Sequence, residues 1–111
     1  MSDVRLVYVT LSDAQEAERI ANALVTERLA ACANILGPIQ SIYFWQGQLE
    51  RSSEVAMLLK TTQALVPAVV SRVKSLHSYD CPAVLVLPVV DGNDAFLQWI
   101  RSETQPATVN V

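Results

Sequence analysis

The chain has 111 residues, enough for a single domain, 1–111, and too few for two. With 51% hydrophobic and 17% charged residues it can fill a core, and its apolar content exceeds what a lone domain of this size readily hides, which points to burial between subunits. Eleven acidic residues against eight basic ones leave a net charge of −3 and no basic stripe for phosphates, which argues against nucleic acid as a partner.

The N-terminal segment enters the first apolar run without a basic stretch or a long hydrophobic one, and no run is long enough to span a bilayer. No secretory leader and no membrane partner are expected. Two cysteines, Cys32 and Cys81, do not make a disulfide framework in such a chain, and the expected compartment is the cytoplasm.

Leu6-Val7-Tyr8-Val9 reads as a buried strand. Ser12 offers an N-cap, with Gln15 three residues later as in a capping box. Ala17, Ile20, Ala21, Leu24 and Val25 then recur at helical spacing, with Glu16, Glu18, Arg19 and Glu27 mostly elsewhere, which predicts an amphipathic helix ending near Leu29. Ala33 to Trp45 reads as extended and bent at Gly37-Pro38. Gln46-Gly47 supplies a tight turn, and Gln48 to Lys60 returns as the second arm of a long hairpin.

Tyr43-Phe44-Trp45 at the hairpin tip, and Val55 to Leu59 on the return arm, are apolar on both strand faces. They must be covered on both sides, in part by another chain. A second helix carries Val66, Val69, Val70, Val73 and Leu76, with Pro67 in its first turn. His77 to Pro82 is a loop, Val84 to Val90 the last main strand, and Asp91-Gly92-Asn93 leads into a third helix with Phe96, Leu97, Trp99 and Ile100. The tail from Gln105 adds at most a brief extended piece.

The order β-α-β-β-α-β with a terminal helix predicts an α+β, ferredoxin-like antiparallel sheet. Right-handed crossovers leave a gap in each βαβ unit, and a strand of the other unit fills it. Both crossing helices then lie on one face, and the other face needs a partner.

Segments along nearly the whole chain resemble the CutA-type divalent-cation-tolerance family. They include Val7-Tyr8-Val9-Thr10, Glu27 to Ile35, Ser41 to Gly47, Glu54, Leu59-Lys60-Thr61-Thr62, His77 with Tyr79, Pro82, Leu87-Pro88-Val89 and Leu97 to Ile100. The resemblance implies a homotrimer similar in architecture to the PII signalling proteins, and a link to divalent metals with copper foremost. The chain departs from the family pattern at Ser78 and Asp80, where proline and glutamate are usual. It also has Ser12 where a proline is frequent, and Val9 where some members carry cysteine.

The candidate metal ligands are Cys32, His77 and Cys81, since thiolate and imidazole suit copper and other soft or borderline ions. Cys32 is equally a small hydrophobe buried between helix and strand, and His77 equally a cap on the second helix or a cleft wall. Tyr43, Trp45, Tyr79 and Trp99, with Glu54 and Lys60, are the mix a small-molecule cleft requires, and also the residues that interfaces favour. One histidine, no nucleophile-elbow motif and three unclustered glycines leave no recognisable catalytic apparatus, so no enzyme activity and no organic cofactor are expected. Two readings follow. One is a trimeric metal-binding tolerance protein; the other is a PII-like trimer that binds a small molecule or partner protein between subunits.

Overall fold

A computed structural model describes residues 2–104; the extended piece expected from Gln105 lies outside the described residues. The elements are β1 (Val4–Leu11), α1 (Ala14–Thr26), β2 (Cys32–Trp45), β3 (Gln48–Thr62), α2 (Val66–Leu76, after a single 3-10 turn), β4 (Val84–Pro88) and α3 (Asp94–Glu103). The strands lie in the order β2-β3-β1-β4, each antiparallel to its neighbour. Thus β3 fills the gap left by β1-α1-β2, and β1 the gap left by β3-α2-β4. This is the ferredoxin-like arrangement.

Side chains alternate along a strand, so opposite partners share a face. Val7, Val9 and Leu11 face the same way as Leu59, Met57 and Val55 on β3. Onto them α1 lays Ala17, Ile20, Ala21 and Leu24, spaced i, i+3, i+4 and i+7, while α2 adds Val69 and Val73. Ile20, Leu24, Met57 and Leu59 have no measurable exposure. Each such side chain contributes about 1.5–3 kcal/mol of transfer free energy.

The opposite face carries Leu6, Tyr8 and Thr10 of β1, with Leu58 and Ala56 of β3 and Leu85 and Leu87 of β4. Helix α3 covers one end of it, where Leu97 and Ile100 pack on Val4. Elsewhere it stays open. Leu85 is 61% and Leu36 47% exposed.

Several boundaries differ from the sequence expectation for identifiable reasons. The cap of α1 is Asp13, whose carboxylate accepts the Glu16 N–H, rather than Ser12. The helix stops at Thr26, not Leu29, because Arg28 takes a left-handed φ of 60°. Leu29 N–H then bonds to the Leu24 carbonyl and Arg28 N–H to that of Val25, closing a Schellman motif without glycine. The last strand ends at Pro88 instead of Val90. The hairpin turn follows expectation, with positive φ at Gln46 and Gly47.

Candidate functional site

A cleft of about 500 Å³ opens at the Thr10 end of the uncovered sheet face. Thr10 of β1 forms its floor, with Tyr43 and Trp45 of β2 and Glu54 of β3 as walls. The register explains this grouping. Tyr43 lies opposite Glu50 and Trp45 opposite Gln48, which alternate onto the same face as Glu54. The loop between α2 and β4 closes the remaining side with Tyr79, Asp80 and Cys81.

Two buried groups fix that loop. The His77 side chain is fully buried, and its Nδ1 accepts the Tyr79 N–H at 3.1 Å. Nε2 therefore carries the proton, which it donates to the Thr10 carbonyl at 2.7 Å, tying the loop to β1. Glu16 is 7% exposed. Its Oε2 accepts the Ser78 N–H at 2.7 Å, and its Oε1 accepts the N–H and hydroxyl of Ser12. Burial by itself raises the Glu16 pKa, but the hydrogen bonds from Ser78 and Ser12 outweigh it and pull the value down to about 2.

Inside the cleft, the Tyr79 hydroxyl donates to Glu54 Oε2 at 2.9 Å. Burial first, then the Glu54 hydrogen bond and charge, push the Tyr79 pKa up to about 12. Tyr79 thus keeps its proton. Glu54 is only 9% exposed. Its Oε1 receives no hydrogen bond among the described residues.

The structure divides the residues singled out from sequence. Tyr43, Trp45, Glu54, Tyr79 and Cys81 line the cleft together. Lys60 and Trp99 belong to a separate cluster under α3. There the Lys60 ammonium lies 5.2 Å from the Phe96 ring centre, and Phe96 stacks on Trp99 at 5.4 Å. Cys32 is half-buried and paired with Lys60, on the face away from α1 and α2. Lys60 in turn stands opposite Leu6, four residues or roughly 13 Å along β1 from Thr10. His77 caps α2 through its backbone N–H to the Val73 carbonyl, while its imidazole goes to β1.

The three candidate metal ligands therefore do not meet within one chain. Both His77 nitrogens are engaged, and among the described residues no three His, Cys, Asp or Glu side chains converge as a metal site would need. A resident ion does not fit a single subunit. Glu16, expected with Glu18, Arg19 and Glu27 mostly away from the apolar positions, is instead buried with them: Glu16, Ile20 and Leu24 fall at i, i+4 and i+8 on one helix stripe. A carboxylate on an apolar stripe is a signal. Asp80 and Thr10 carried none, because only the fold brings them to Glu54.

The family model described as CutA1 divalent ion tolerance protein matches residues 5–103. The human relative, Protein CutA, is 43% identical over 108 residues, covering 97% of this chain and 60% of that one. The chain spans 55% to 60% of the length of the human, Arabidopsis thaliana and rice relatives. The Thermus thermophilus divalent-cation tolerance protein CutA is 43% identical over 99 residues, 89% of this chain and 96% of that one. Among solved structures, CutA from Xylella fastidiosa superposes with a TM-score of 0.92 at 39% identity, covering 94% of this chain and all of that one.

Proposed function

The chain belongs to the CutA1 divalent ion tolerance family, and on that premise we propose that it is a non-catalytic, homotrimeric ligand-binding protein that serves divalent-cation tolerance. The observation that carries this reading is the uncovered sheet face. Leu36, Leu85 and Leu87 on it, together with Phe44 at 75% exposure and Leu49 at 58% on the other face of the hairpin, present more apolar surface than a monomer keeps in water. Packing such faces together around an axis buries them and turns the cleft into a site between subunits. The two free cysteines suit a reducing compartment, and we assign the cytoplasm. The plant relatives carry chloroplastic names and the Archaeoglobus fulgidus one is described as periplasmic, so the compartment varies among relatives.

Copper, the metal brought forward by resemblance, would need donors from more than one subunit, with Cys81 as this chain's thiol in the cleft. A second reading has a specific observation in its favour. A volume of about 500 Å³ walled by aromatic rings suits a small molecule better than a bare ion, and makes the protein a PII-like carrier or signalling trimer.

The test is growth under graded copper, zinc and cobalt in a host lacking its own family member. Wild type should restore tolerance, whereas Phe44→Asp, placed to disrupt assembly, should not. Equal growth with and without the wild-type protein would contradict the tolerance role.

A further inference from the structure

We infer that the cleft is a receptor for a small organic cation, an alkylammonium or guanidinium group held by Glu54 and Asp80 against the rings of Tyr43, Trp45 and Tyr79. This rests on the reading of the cleft as a ligand site, and names the chemistry it selects.

The cleft is lined by two carboxylates and by no lysine, arginine or histidine side chain. Arg51, the basic residue nearest Glu54 along β3, pairs with Ile42 and alternates onto the other face of the hairpin. Lys60, six positions beyond Glu54, is directed to Phe96. Among the described residues of one subunit, no cation therefore neutralises the site. Glu54 sharpens the point, because a carboxylate nine-tenths buried is costly unless its charge is met. One oxygen is met by the Tyr79 hydroxyl; the other has no donor among the described residues and stays accessible.

The walls decide between kinds of cation. A hard divalent ion wants six or more oxygens at short range, and this cleft does not converge them. Aromatic faces attract an ammonium or guanidinium through the ring quadrupole, and a ring also covers the apolar parts of such a ligand. Three aromatic residues around two carboxylates, in a volume of about 500 Å³, match that ligand.

Titration calorimetry on the assembled protein tests this with tetramethylammonium and butylammonium. Tert-butanol serves as the neutral near-isostere and copper(II) as the bare ion. The ammonium probes should bind, and tert-butanol should bind at least about tenfold more weakly, the share of one charged contact. Glu54→Gln, which keeps an oxygen for Tyr79, and Trp45→Ala, at a 60% exposed position, should each weaken ammonium binding by about tenfold or more. Cys81→Ser should leave it unchanged. Equal binding of tert-butanol, indifference to both cleft variants, or copper binding that needs Cys81 while ammonium does not bind would each overturn the inference. The mass of the same sample separates the two levels. A trimer that ignores ammonium sinks this inference alone, whereas a monomer sinks the shared-cleft reading and this inference with it.

Discussion

Three donors converge on Glu16: the N–H groups of Ser12 and Ser78, and the Ser12 hydroxyl. They hold its folded pKa at about 2, against an ordinary 4.5. Because the folded value is the lower one, the contribution is fully present above pH 4.5 and is lost as pH falls towards 2. The shift corresponds to something on the order of 3 kcal/mol. Urea midpoints measured across that range should fall more steeply for wild type than for Glu16→Gln. Parallel curves would show that Glu16 does not supply the acid-labile stability.

Glu16→Gln also removes a charged acceptor from the loop that carries Tyr79, Asp80 and Cys81, at a cost of about 1–3 kcal/mol at neutral pH. Amide exchange at Ser78 and Tyr79 should accelerate in that variant and stay unchanged in β1. Arg28 offers a second check. It holds a left-handed φ of 60° at the end of α1, a conformation glycine adopts without steric cost. Among the described residues its side chain makes only an exposed pair with Glu103, worth little. Arg28→Gly should therefore leave stability within about 1 kcal/mol of wild type. A larger loss in thermal unfolding would show that the Glu103 contact carries real weight.

Among the elements, the β2-β3 hairpin presents two different faces. Tyr43 and Trp45 turn with Glu54 towards the cleft, while Phe44 faces away beside its cross-strand partner Leu49. Phe44→Asp and Leu49→Asp change residues that are 75% and 58% exposed, so the single chain should fold as before and assembly should weaken. Sedimentation velocity at falling concentration reads this directly, as a shift to the lighter species at higher protein concentration than for wild type. Unchanged sedimentation would place the hairpin outside the interface.

The hairpin also shows how much the sequence could tell. Its arms, its turn at Gln46-Gly47 and its two-sided apolar character are visible in the residues alone, because strand alternation is a local property. What joins Thr10 to Glu54 and Tyr79 is not local. It depends on β1 lying beside β3 and on His77 and Glu16 tying a loop to β1 and α1. For the same reason Lys60 and Trp99, which share the cleft residues' chemistry, belong to a different cluster: residue type was legible, but position along the strand was not. The left-handed Arg28 was hidden as well, since no glycine marks it.

For the whole molecule, the apolar surplus of the composition reappears as a half-bare sheet face, with β4 an open edge carrying Leu85 and Leu87. Helices α1 and α2 satisfy one side of the sheet, and α3 covers only an end of the other. The proposed trimer would complete a protein of this shape. That claim is tested most directly by the native mass of the purified chain. A particle three times the 12.2 kDa chain, persisting on dilution, is expected. A monomer of 12.2 kDa, stable and soluble with its sheet face bare, would contradict it.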